Sequence, residues 1–235
     1  MDQQSLRIVP KPVREQAEEA LRHAIVSGRY PPGTHLSDRA ICEELGVSRS
    51  IIREAIRLLA AEGLVMSIPH RGTFVAFMSS AEAVQIYEVR SALEALAGKA
   101  FATRASDQER RELRAVVEQI AQDGMAEERG TLLELKQRFY SILLQGSRNA
   151  YVARMLDQLL NRNMSLRATS LSDPDRLQQT ISELRKIVER IEDRDGEGAA
   201  EACREHVRAA ENTALRILRS QEAADGAAKK GVPTR

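Results

Sequence analysis

One short segment, Ser48 to Ala61, spaces basic and hydroxyl side chains so that they could pair with a polyanion. At 100° per residue, Arg49, Ser50, Arg53 and Arg57 gather on one face of a helix while Ile52, Ala55, Ile56 and Leu59 gather on the other. Guanidinium forks match phosphate oxygens and the O6/N7 edge of guanine, and serine hydroxyls can serve backbone or bases, so the chemistry implied is contact with duplex DNA. From Ser48 to Gly72 the bases Arg49, Arg53, Arg57 and Arg71 are opposed only by Glu54 and Glu62, which makes the stretch locally basic.

A second group is spread over more than a hundred residues. Lys136 falls at the centre of an apolar helical arc formed by Leu132, Phe139, Tyr140 and Leu143. Arg90 shares a face with Ile86, Leu93, Ala97 and Phe101, and His206 shares one with Ala202, Cys203, Ala210 and Ile217. An inward cation left unpaired is costly, so a protein carboxylate or a bound anion has to answer it.

The elements that position these residues follow from periodicity and punctuation. Val13 to Ser27 has helical apolar spacing and stops at Gly28; SGRYPPG forces a turn; a second helix starts after Ser37 as N-cap and ends at Gly46. The third helix runs from Ser48 to about Ala61. Leu64–Ile68 and Thr73–Phe77, separated by PHRG, predict a β-hairpin with a basic tip. Beyond Met78 helix signals recur: Ser80 as a cap, capping boxes at Ser106/Glu109 and Thr131/Glu134, and a start at Asp173–Pro174. They predict helices over 80–104, 107–124, 131–146, 149–169, 174–194 and 197–220, lengths that suit one bundle. The expected fold class is mainly α: a winged helix-turn-helix over 1–78, an all-helical domain over 79–220, and a disordered tail over 221–235.

Composition narrows the function. With 235 residues, 43% hydrophobic and 29% charged, the chain reads as globular; 3% aromatics and no Trp favour aliphatic helix packing. No apolar run suits a membrane span, and MDQQSLRIVPKPVREQ lacks the apolar core of a signal peptide, so the expected location is cytoplasmic. Cys42 and Cys203 match no metal or redox spacing and read as reduced packing residues. The net charge of +1 decides nothing. No G-x-S-x-G, phosphate loop, HExxH or pair of inward carboxylates is present, so catalysis is not expected.

The stretch from Ile25 to Val75 resembles the GntR family of transcription regulators, through G-x-x-x-PG-x-x-L, GVSR-x-x-x-REA, EGL and RG-x-x-V in that order. The resemblance implies DNA contacts from Arg39, Ser48, Arg49, Ser50, Arg53, His70, Arg71 and Gly72. It also implies a homodimer on a pseudo-palindromic operator, with repression the commoner outcome. YEVRSALEALAGKAF, with Arg90 and Glu94 as R-x-x-x-E, is similar to the opening of the ligand-binding domain of the FadR subfamily. Many such domains hold a divalent metal through an Asp and three His. Here those positions are Lys136, Tyr140, Leu184 and His206, so neither a metal nor another cofactor is expected.

Two readings of the bundle stay open. In one, Lys136 supplies the charge a metal supplies in similar proteins, and with Arg90, Tyr140 and His206 clamps a small carboxylate effector. In the other, Glu94 pairs Arg90, Lys136 reaches solvent, and the pocket is vestigial, leaving a protein that binds DNA constitutively or through a partner.

Overall fold

A computed structural model describes residues 11–26, 28–123, 129–162 and 174–230. The chain divides into two compact units, Met1–Ala76 and Phe77–Arg235.

The first unit holds α1 (Val13–Val26), β1 (His35–Leu36), α2 (Asp38–Leu45), α3 (Arg49–Ala61), β2 (Val65–Ile68) and β3 (Gly72–Val75). Ser37 caps α2 by accepting from the Ala40 N–H, and Gly46 ends it in the left-handed region at φ 66°. The aliphatic back of α3, with Ile52, Ala55 and Leu59 fully buried, packs against α1 and α2. Each large side chain so buried contributes about 1.5–3 kcal/mol. The hairpin β2–β3 forms with Met66 opposite Phe74 and Ile68 opposite Gly72. Its strands stop at Ile68 and Val75, so Leu64 and the residues after Val75 fall outside them.

The sequence pattern misses β1, which pairs antiparallel with β3 and makes the sheet order β1-β3-β2. A two-residue strand is too short to show alternation. Gly33 starts it at φ 82°, donating its N–H to Val75 O, while Val75 N–H donates back to Thr34 O.

The second unit is helical: α4 (Ser80–Arg104), α5 (Asp107–Asp123), α6 (Arg129–Gly146), α7 (Ala150–Arg162), α8 (Pro174–Glu192) and α9 (Gly196–Lys230). α4 lies along α9, close enough at Gly98 that a Cβ there would stand 2.6 Å from Cys203 Sγ. Cys203 is buried and its thiol is pushed up by that burial; both cysteines are free. α4, α6 and α7 pack together, and α8 closes against α4, α5 and α9 around a core including Phe101, Phe139, Leu143, Leu156 and Leu184.

Several boundaries differ from expectation. Ser79, not Ser80, caps α4 by accepting from Glu82 N–H. The capping box Ser106/Glu109 forms in both directions, but α6 starts at Arg129, so Thr131 lies within the helix and not ahead of it. α8 ends at Glu192, and the stretch expected to complete the 149–169 helix, with Asp173, lies outside the described residues beyond Arg162. The expected disordered tail is corrected over 221–230, which continues α9 to Lys230. Its alanines cost little in a helix, and Glu222 accepts from both the N–H and the hydroxyl of Ser80. Residues 231–235 lie outside the described residues.

Candidate functional sites: a basic helix face and a buried polar network

In the first unit, burial of the α3 back turns its other face outward. Arg49, Ser50, Arg53 and Arg57 are all exposed. Ser48 holds the N-cap position with no side-chain cap bond; its hydroxyl lies 2.9 Å from that of Ser50. Arg53 pairs with Asp38 at 3.3 Å and Arg39 with Glu43 at 2.8 Å, each guanidinium more than 70% exposed. Arg57 pairs with Glu54 at 2.7 Å, turned back along its own helix. Such exposed pairs are screened by solvent, contribute little and are readily exchanged for another anion.

The hairpin tip carries the rest of the basic set. His70 is exposed and takes φ 60°, a conformation that turns the chain at its residue. Arg71 sits over the Phe74 ring at 5.9 Å. Gly72 has φ 99°, a conformation that favours glycine, and a Cβ there would meet the His35 ring at 2.6 Å from Nε2. His35 also packs edge-on against Phe74. Its part in shaping the tip was not legible, because β1 was not.

In the second unit, three helices, α4, α6 and α9, bring Arg90, Lys136, Tyr140 and His206 into one buried network, each 3% exposed or less. Arg90 donates Nε–H and Nη2–H to Glu94 Oε1 at 2.9 and 2.7 Å, and Tyr140 O–H donates to Glu94 Oε2 at 3.1 Å. Burial opposes the Arg90 cation, but the Glu94 carboxylate and the nearby Tyr140 and Tyr87 outweigh it, holding the guanidinium above its ordinary range. The pairing of Arg90 with Glu94 is the one expected on the reading of a vestigial pocket. Lys136, by contrast, does not reach solvent: its Nζ stands 3.3 Å from His206 Nε2 and 5.4 Å from the centre of the Tyr140 ring.

An ammonium can only donate, so His206 Nε2 accepts from Lys136, and Nδ1–H donates to Glu183 Oε2 at 2.6 Å. Glu183 also accepts from Arg176 at 3.1 Å. Burial pushes the Glu183 carboxyl above its ordinary range against the pull of Arg176 and Lys136. Glu183, Arg176 and Thr180 were missed from sequence. The available signal was polar residues at positions 176, 180 and 183, adjoining the α8 core stripe of Leu177, Ile181, Leu184 and Val188.

A divalent metal does not fit. Lys136 brings a cation to one of the four positions, and Leu184, fully buried in the core, brings no donor to another. Among the described residues no group of three or more His, Cys, Asp or Glu could hold a metal ion. A cleft of about 700 Å³ opens beside Tyr140, lined also by Gln137, Ser141, Gln145, Arg148 and Asp157.

The two units match two families. The model of bacterial regulatory proteins of the gntR family covers residues 13–75, and that of the FCD domain covers residues 85–209. The chain is 30% identical over 209 residues to the "Probable D-xylose utilization operon transcriptional repressor" of Paenarthrobacter nicotinovorans, spanning 89% of this chain and 92% of that protein. It is 26% identical over 200 residues to the "HTH-type transcriptional repressor RspR" of Escherichia coli (strain K12), spanning 84% and 86%. Among solved structures, E. coli McbR/YncC shares the fold with a TM-score of 0.67 at 20% identity, over 91% of this chain and 100% of that one. Among the described residues no helix is long and apolar enough to cross a membrane. A gntR-family unit joined to an FCD domain makes a transcription regulator, not an enzyme: the chain belongs to the GntR family of bacterial regulatory proteins.

Proposed function

We propose that this protein is a cytoplasmic transcription repressor that binds a pseudo-palindromic operator as a homodimer, and that a small anionic metabolite bound in the helical unit modulates its operator affinity. The observation that carries the DNA half is the α3 surface: Arg49, Ser50 and Arg53 exposed over a fully buried aliphatic back. The third helix enters the major groove with Ser48, Arg49, Ser50 and Arg53, Arg39 reaches the backbone from the start of α2, and His70, Arg71 and Gly72 meet the adjacent groove. Relatives named as repressors support the sign of regulation. One head reads one half-site, which is why a dimer is required.

The effector half rests on Lys136. It is a lysine 3% exposed with Arg90, Tyr140 and His206 around it, a setting that favours a carboxylate over a cation. Fluorescence anisotropy with genomic fragments tests the DNA half: sequence-selective binding that weakens steeply with salt is expected, and its absence overturns the reading. Adding candidate organic acids to the same assay tests the effector half. Linkage requires that DNA alter effector affinity by the same factor that effector alters DNA affinity.

A further inference from the structure

The cations of the first unit are of two kinds. Arg39, Arg53 and Arg57 each carry a carboxylate partner, in Glu43, Asp38 and Glu54. At the hairpin tip His70 and Arg71 are exposed, and among the described residues no carboxylate pairs with either; Arg71 lies over the Phe74 ring instead. Basic groups that converge without a carboxylate to answer them make a site for an anion, and most contacts of a DNA-binding surface are to phosphate. A third basic side chain, absent from the set read out of the sequence, stands beside these two. His35 of β1 is exposed and likewise pairs with no carboxylate among the described residues.

The sheet register decides where His35 points. β1 sets His35 opposite Phe74 and Leu36 opposite Thr73, and side chains alternate along a strand. Leu36, Val65 and Val75 therefore turn to the core, where all three are buried, and His35 shares the other face with Gly72, Phe74, Met66 and Ile68. The imidazole meets Phe74 edge-on at 5.1 Å and extends from there over Gly72. Nε2 is the ring atom nearest the place of a Cβ at residue 72, at 2.6 Å, ahead of Cδ2 at 3.3 Å and Cε1 at 3.9 Å. His35 thus supplies, from the neighbouring strand, the side chain that Gly72 lacks, with its Nε2 edge toward the tip. A group approaching the Gly72 backbone from this face meets the imidazole first. The charged groups toward it from β3 and the tip are Arg71 and His70; β2 offers only Met66 and Ile68 on that face. Asp38, the first acid after β1, is taken by Arg53.

We propose that His35 is a further DNA contact of the hairpin, donating from its protonated ring to a backbone phosphate, and that it makes operator affinity depend on pH. This rests on the reading that the tip meets the duplex. An imidazolium donates at both nitrogens and carries a full charge, so its bond to a phosphate oxygen is charge-assisted; the neutral ring keeps one donor and no charge. The phosphate in turn favours the charged ring. The binding form is the protonated one, so this contact is complete in mild acid and fades as pH rises through the histidine range, ordinarily near ~6.5. The arginines of α3 stay charged throughout and give no such dependence.

The test is anisotropy of the full-length protein on a duplex that wild type selects from a random-sequence pool. All proteins compared carry His70→Asn, so that one tip histidine titrates; asparagine accepts the left-handed backbone of that position. His35→Phe keeps a ring against Phe74 and over Gly72 but has no nitrogen, and His35→Gln keeps a donor without a charge. Relative to the His35 parent, each is expected to bind about five- to tenfold more weakly near pH ~6 and within about twofold near pH ~8.5. The slope of log affinity against log salt should fall by about one at the lower pH and stay the same at the higher. A loss of equal size at both pH values, or an unchanged slope near pH ~6 in both variants, overturns the assignment. Arg71→Ala separates the two readings. If it weakens binding while both His35 variants match the parent, the tip meets DNA without His35; if neither position matters, the tip reading falls with it; and if no duplex is selected, the DNA reading itself is overturned.

Discussion

The two units use the same cations in opposite ways. Arg39, Arg53 and Arg57 in the first lie more than 70% exposed, each paired with a carboxylate on its own surface. Arg90, Lys136 and Arg176 in the second are less than 5% exposed and held in networks with Glu94 and Glu183. An exposed pair can be traded for another anion at little cost. A buried cation stripped of its partner costs about 3–5 kcal/mol, so the second unit keeps its charges in place.

The sharpest way to break this contrast is to remove a carboxylate from each side. Glu94→Ala leaves Arg90 uncompensated and is expected to lower stability by about 3–5 kcal/mol, read as a fall in the urea midpoint. The equivalent change at the surface, Asp38→Ala, should leave the midpoint nearly unchanged. Equal losses at the two sites would remove the distinction.

Next in size is the basic face of α3. Arg49→Ala and Arg53→Ala should each weaken operator binding by about 1–3 kcal/mol, measured by anisotropy at fixed salt, and shift unfolding by no more than ~0.5 kcal/mol. Arg57→Ala, whose guanidinium is turned toward Glu54, should weaken binding less than either. A reversed order would place the groove contact further along α3.

The hairpin tip gives an effect of comparable size, felt first in stability. Gly72→Ala forces a side chain onto φ 99° and toward His35, with an expected cost of about 1–3 kcal/mol and a loss of DNA affinity. Adding His35→Ala removes the contact but not the dihedral strain, so recovery should be partial.

The smallest is the capping box. The Glu109 carboxyl is held below its ordinary range first by the Ser106 backbone N–H, opposed by burial, with the Ser106 hydroxyl and Arg148 adding to it. Its folded value is depressed, so the stability it contributes is full above the ordinary glutamate range and is lost as pH falls through the lowered value. Ser106→Ala should cost about 1 kcal/mol near neutral pH and less in acid, followed by urea unfolding across the acid range. A cost that does not shrink in acid would mean that Glu109 is not the group concerned.

The exposed basic face of α3 was legible because its signal is local. Arg49, Ser50 and Arg53 sit within two turns of one helix, and the alternation of faces follows from 3.6 residues per turn whatever surrounds it. Gly46 and the Ser106/Glu109 box were legible for the same reason. Three features were not: β1, two residues long; the start of α6 at Arg129, ahead of the Thr131 signal; and the run of α9 to Lys230, part of whose support, the Ser80–Glu222 bonds, is 142 residues away along the chain.

Sequence by itself determined that Arg90, Lys136 and His206 point inward, because apolar neighbours at helical spacing leave no other face for them. Only the tertiary structure decided what they meet there. Lys136 to His206 and His206 to Glu183 are contacts between separate helices, set by how α6, α8 and α9 rotate and slide against one another, and periodicity along a chain carries no information about rotation between chain segments.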